Sequence, residues 1–209
     1  HGEYRRQRQM CIRDRAMRED LNNHLMSIND LSFLPEPYFL KNGIDDVVEY
    51  SAQNKTLIKK LIETSNLQLK DYDEVSSQIK NSLNNDNPWV RYWGLIVCSS
   101  FGSKAMENKD KINVIFENDS ENLVRMRAAE FMLLNDIELN DSKINSLLKR
   151  SNFEAEANLM LNTLANIKTI NPKYKLNLNK NVFPENWIPP IREENALVNR
   201  RMNYLTENE

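Results

Sequence analysis

The chain has 209 residues, 40% of them apolar, so it has the length and hydrophobic content to bury the core of one or two domains without covalent staples. Its 28 basic and 30 acidic side chains give a formal net charge of -2 and are mixed along the chain, which argues against the continuous basic surface that nucleic acid requires. Four glycines and seven prolines are the composition of helices joined by short turns and disfavour an all-β fold. Cys11 and Cys98 are too few for a disulfide framework, and no apolar run approaches the roughly 20 residues of a membrane span. His1 to Arg15 is basic and polar and lacks the apolar centre of an export signal.

In chain order, the first segment needs separate treatment. Met10-Cys11-Ile12-Arg13-Asp14-Arg15 is the translation, in one frame, of the transposon end used to prepare sequencing libraries, and Gln9 fits the codon before it. Residues 1–15 are therefore read as an adapter scar with an unrelated leader, and natural sequence is expected from Ala16. A natural basic leader is the alternative. On the scar reading Cys11 has no biological meaning.

From Met17 to Ile28, Met17, Leu21, Leu25 and Ile28 fall at helical spacing and predict one amphipathic helix. Pro35 and Pro37 then forbid continued helix and push Leu34 and Glu36 towards extended geometry, so residues 29–37 read as a strap. Asn42-Gly43 is a stop signal, after which Ile44–Tyr50 and Leu57, Ile58, Leu61 and Ile62 predict one or two helices.

The next region repeats. Val75, Ile79 and Leu83 form an apolar stripe, followed by a turn with Asp86 and Pro88, by Val90-Arg91, and by the apolar run Trp93, Leu95, Ile96, Val97. The same order returns as Ile112, Ile115, Phe116, then Asp119, Val124-Arg125, and Ala128-Ala129, Phe131, Met132, Leu133. The step from Val90 to Val124 is 34 residues (124 − 90), the length of a two-helix solenoid repeat. A third unit, with Ile144, Leu147, Leu148, Phe153-Glu154, Ala157, Leu161 and Leu164, is degenerate: its basic position reads as the acid Glu154 and its step is shorter, as in a cap.

Helix pairs of this kind hide their apolar faces only by stacking, so the expected fold is all-α, a short α-solenoid of HEAT/armadillo-like pairs over residues 44–170. Trp89–Phe101 should lie inside the stack with Gly102 as its stop, and alanine at Leu95 or Ile96 should cost ~2–5 kcal/mol. After Asn171-Pro172 the helical period is lost, and residues 171–209 read as an extended tail anchored by Phe183 and Trp187, with a last short helix within Ile191–Tyr204.

No residue is assigned a catalytic, cofactor-binding or metal role. Arg91 and Arg125 form either a basic ladder for an anion or, preferred, structural pairs with Asp86, Asp119 or a neighbouring helix end. His24 has no second ligand near it in sequence, and Cys98 lies on an apolar helix as a small hydrophobe. Asp45-Asp46 and Asp71, Asp73, Glu74 lack the glycine and ligand alternation of a calcium loop and read as helix N-terminal charge. Trp89, Tyr92 and Trp93 read as core packing in preference to a stacking platform for sugar or base. Phosphate loop, nucleophile elbow and zinc motifs are absent from the sequence.

Met17-Arg18-Glu19-Asp20-Leu21, followed by Ile28-Asn29-Asp30-Leu31-Ser32-Phe33-Leu34-Pro35-Glu36, resembles the end of the catalytic portion of formylglycine-dependent bacterial sulfatases, where a helix leads into an R-D-L-G-F-L-P-E strap. Asn29 and Ser32 depart from it, replacing arginine and glycine. Asp86–Leu95 and Val124–Glu130 are similar to the HEAT-type repeats that follow the strap in a subset of these enzymes. The resemblance spans Ala16 to about Ile170 and implies that residues 16–43 are the terminal helix and strap of a sulfatase-like domain.

It also implies a periplasmic or extracellular parent enzyme that hydrolyses sulfate esters, of polysaccharides foremost, with a calcium ion and a formylglycine made within Cys/Ser-x-Pro-x-Arg. Neither Cys11-Ile12-Arg13-Asp14-Arg15 nor Cys98-Ser99-Ser100-Phe101-Gly102 has that pattern. The expectation is a non-catalytic segment without cofactors of its own, whose partner is the sulfatase catalytic domain upstream. The alternative is a free-standing HEAT-type module that binds a protein on its concave face.

Overall fold

The computed structural model describes residues 2–171, 174–179, 181–184, 187 and 197–206, with the side chains of residues 2–9 not described. Those residues are helical throughout with irregular connections, and no strand occurs among them. None of the helices is long and apolar enough to cross a membrane. The chain divides into two compact units, one ending at Glu63 and one beginning at Thr64.

In the first unit, α1 runs Gly2–Ile28 without a break at Ala16. Arg, Gln, Met, Glu and Ala are good helix formers and neither Gly nor Pro interrupts residues 3–28, so the backbone continues whatever the origin of residues 1–15. Of the predicted apolar stripe, Leu25 is half-buried while Met17, Leu21 and Ile28 are exposed. Asn29 closes α1 in the left-handed region, φ 49°, where the short amide side chain is tolerated better than arginine.

The strap is shorter than its two prolines suggest. Leu34 is extended as expected (φ -85°, ψ 141°), but Glu36 opens a second helix, α2, Glu36–Asn42. Pro37 sits in its first turn, where the missing N–H has no partner to lose. Gly43 ends α2 against the Tyr50 ring, with no room for a Cβ. The predicted one or two helices after it are two, α3 (Val47–Gln53) and α4 (Lys55–Ser65), and Asp46 caps α3 by accepting from the Glu49 N–H at 2.9 Å.

The second unit holds α5 (Tyr72–Leu83), α6 (Pro88–Phe101), a 3-10 segment Gly102–Asn108, α7 (Lys109–Asn118), α8 (Asn122–Leu134), α9 (Asp141–Lys149), α10 (Glu154–Ile170) and α11 (Leu197–Thr206). Helix α6 packs on α5 and α8; α8 packs also on α7, α9 and α10; α10 packs on α11. Helix α8 is the centre of this arrangement. Leu123, Val124, Met126, Ala128, Ala129, Phe131, Met132 and Leu133 are all buried, on every side of the helix, which is the pattern of a helix enclosed by others.

Helix α6 is buried on several faces as expected, through Trp89, Val90, Tyr92, Leu95, Val97 and Cys98. Asn87 caps its start by accepting from the Trp89 N–H at 2.9 Å, Pro88 fills the first turn, and Gly102 closes it at φ 56°. Gly94 lets α5 approach closely: a Cβ there would lie 2.3 Å from Ser82 Oγ. The turns before α6, α8 and α10 are residues 84–87, 119–121 and 150–153.

Asn171 ends α10, and residues 174–179 have no regular structure, in line with the extended tail. Phe183 is buried and stacks on Trp187 at 5.8 Å between centroids. The last described helix is α11, and the expected start at Ile191 lies outside the described residues. Val198, Met202 and Leu205 bury the inner face of α11.

One correction bears on energetics. Leu95 is fully buried but Ile96 is half-buried, because it falls on the outer side of α6. Leu95→Ala is expected to cost ~2–5 kcal/mol and Ile96→Ala about half of that, read as the difference in unfolding free energy by urea titration.

Candidate functional site

The residues with chemical potential in the sequence are divided by the structure into structural bonds and isolated side chains. Arg91, in the first turn of α6, makes a two-pronged ion pair with Asp119 in the turn before α8: Nε to Oδ2 at 2.7 Å and Nη2 to Oδ1 at 2.9 Å. Its Nη1 donates to the carbonyls of Asn85 at 2.7 Å and Asp86 at 2.9 Å. Four of the five guanidinium N–H groups are thus engaged by its own turn and by the next one. Side-chain exposure is 15% for Arg91 and 3% for Asp119, so this pair is shielded from solvent and salt.

Arg125 occupies the same place in α8 but bonds a helix end, with Glu117 and Asp119 near enough to act on it through their charge. Its Nε donates to the Phe116 carbonyl at 2.6 Å, at the end of α7, and its guanidinium lies 5.8 Å from the Phe116 ring centre. Burial, together with the positive charge of Arg150, lowers its pKa from the usual arginine value. The third position of this ladder needs correction. Helix starts at Pro88, Asn122 and Glu154 step by 34 and then 32 residues (122 − 88, 154 − 122), which puts buried Ala157, not Glu154, where Arg91 and Arg125 stand. The two arginines therefore bind protein, through an acid of the next turn and a helix-end carbonyl.

Three polar networks were not legible in the sequence. Arg127 donates from Nη2 to Tyr92 Oη at 2.8 Å and from Nη1 to Glu130 Oε2 at 2.9 Å, with its guanidinium 5.0 Å from the Tyr92 ring centre. Burial alone would lower its pKa, but Tyr92 and Glu130 together outweigh burial and raise it. Asn122 donates to the Arg150 carbonyl at 3.0 Å and to Glu156 Oε1 at 3.3 Å, while Glu156 Oε2 accepts from the Asn152 N–H at 2.6 Å. Tyr72 donates to Glu107 Oε1 at 2.7 Å, and Lys80 to Glu107 Oε2 at 2.7 Å. The only advance signal was the Arg127 to Glu130 spacing of one helical turn within an otherwise apolar run.

The remaining candidates are dispersed. Trp89 and Tyr92 are buried and Trp93 half-buried, their rings meeting edge to face at 6.3 Å, which is packing within α6. His24 is exposed on α1. Asp71 stands at the start of α5 but makes no side-chain cap bond, so its contribution is confined to charge with Asp73 and Glu74 in the first turn. Cys11 is exposed; Cys98 is buried and burial pushes its thiol up to about 12. No group of three or more His, Cys, Asp or Glu placed to hold a metal occurs among the described residues.

A groove of about 790 Å³ in the first unit is lined by Asn22, Met26, Asn29, Lys55 and Glu63 among others, and another of about 240 Å³ lies between Phe116 and Leu139. No family model matches the sequence, and no curated protein or solved structure matches it.

Removing Asp119 strands a buried guanidinium. Asp119→Ala is expected to destabilise by ~3–5 kcal/mol, and Arg91→Met combined with Asp119→Leu to recover part of that loss, as measured by a double-mutant cycle in urea. Glu107 gives a pH signature. The Lys80 ammonium, then the Tyr72 hydroxyl, hold its carboxyl below the ordinary 4.5. Its contribution is present above that unfolded value and disappears as pH falls through the lower folded one. Carboxyl carbon NMR should show Glu107 titrating below 4.5, and Lys80→Met should return it towards that value.

Proposed function

We propose that this chain is a non-catalytic accessory solenoid of HEAT/armadillo-like helical pairs, belonging to a formylglycine-dependent sulfatase and packing against that enzyme's catalytic domain. The parent enzyme hydrolyses sulfate esters, of polysaccharides foremost, in the periplasm or outside the cell. The observation that carries the solenoid is the Arg91–Asp119 clasp: a side chain from the second helix of one pair is bonded to the inter-helix turn of the next pair. A polar group spent this way serves stacking and is withdrawn from chemistry. The sulfatase assignment is supported by the Ile28–Glu36 strap and the order of strap then repeats.

The resemblance also offers a place for the partner. Met17, Leu21 and Ile28 are exposed on α1, at the end of the segment that resembles the last catalytic helix. Buried against a catalytic domain, each would contribute on the order of 1.5–3 kcal/mol.

Two measurements test the proposal. Genomic sequence upstream of the Ala16 codon should hold an open frame containing Cys/Ser-x-Pro-x-Arg; a nearby start codon would instead favour the free-standing interaction module. The purified chain with calcium should release no sulfate from a chromogenic aryl sulfate, and turnover above the uncatalysed rate would refute the non-catalytic assignment.

A further inference from the structure

The tail is held in an unusual way by α9. Asn145, half-buried on α9, donates from Nδ2 to the Asn177 carbonyl at 2.9 Å and accepts at Oδ1 from the Asn179 N–H at 2.7 Å. Its second amide hydrogen is engaged by the Asp141 carbonyl at 2.9 Å, one helical turn back, which fixes the amide plane. One turn earlier on the same face, Asp141 Oδ2 accepts from the Asn177 N–H at 3.3 Å. All three bonds to the tail go to its backbone.

A carbonyl and an N–H two residues apart, taken by one donor and one acceptor, is the pattern a neighbouring parallel strand offers to an extended chain. Between the two bonded positions Leu178 is buried, and five residues on Phe183 is buried as well. The grip therefore reads main chain through Asn145 and Asp141, with the buried Leu178 between the bonded positions as its apolar anchor, which is how extended peptides are recognised elsewhere.

We propose that this face of α9 is a binding site for extended polypeptide, occupied by the chain's own residues 174–179, which close it to peptides of the same pattern. Its ligand class is an extended peptide with an apolar residue between the two backbone positions bonded by Asn145. This inference is independent of the sulfatase assignment.

The test uses the full chain and a fluorescein-labelled synthetic peptide of residues 173–184. Wild-type protein should bind it weakly, because a tethered occupant competes at millimolar effective concentration. Leu178→Asp combined with Phe183→Ala should release the tail and tighten peptide binding by about tenfold or more. Adding Asn145→Ala should reverse that gain, and a peptide N-methylated at Asn177 and Asn179 should not bind. A released variant that keeps its helical circular dichroism but ignores the peptide, or binds the methylated peptide equally well, overturns the proposal. Should the released variant unfold, hydrogen exchange in otherwise wild-type protein decides. Asn145→Ala should speed exchange at the Asn179 amide by about tenfold while α10 is unchanged, and an unaltered rate at that amide overturns the proposal.

Discussion

The burial of α8 on all sides is the constraint from which the arrangement of the second unit follows. A helix that buries apolar residues on every side, with its few charged side chains half-buried or buried, has no wide face to give to water, so neighbours must surround it. Helices α6, α7, α9 and α10 do so, and the short turns before α6, α8 and α10 keep consecutive helices adjacent. Phe131, Met126 and Val124 then contribute burial that neither neighbouring helix could obtain by itself.

Enclosing such a helix creates a polar problem at its ends, where backbone groups and turn residues are also removed from water. The protein answers with side chains that reach across. Arg91 takes two carbonyls and a carboxylate, Arg125 a helix-end carbonyl, and Asn122 the Arg150 carbonyl. The Arg127–Glu130–Tyr92 group does the same beside the core, each member satisfied by another. These bonds explain why a chain with many charged residues brings so few of them to a common cleft: those beside the stack are consumed in joining one helix to the next.

The departures from the sequence reading have local causes. Glu36 is helical because a proline in the first turn breaks no hydrogen bond, so the rule that places a strap at Pro35-Glu36-Pro37 operates only up to Pro35. Ile96 is half-buried because an apolar run longer than the contact surface must turn some residues outward. The misalignment of Glu154 with Arg91 arose from matching residue types; helix starts, which set the side-chain direction, place Ala157 there.

The all-α character and the 34-residue step were legible in the sequence, since they rest on spacing, prolines and caps that act within a few residues; the start of α1 and the existence of α2 were not. The partner of each polar side chain was not. Arg91 and Asp119 are 28 residues apart, Arg127 and Tyr92 are 35, and Asn145 meets a backbone segment more than 30 residues downstream. Which of several acids, carbonyls or hydroxyls lies within 3 Å depends on how helices dock, a property of packed surfaces that linear order leaves open.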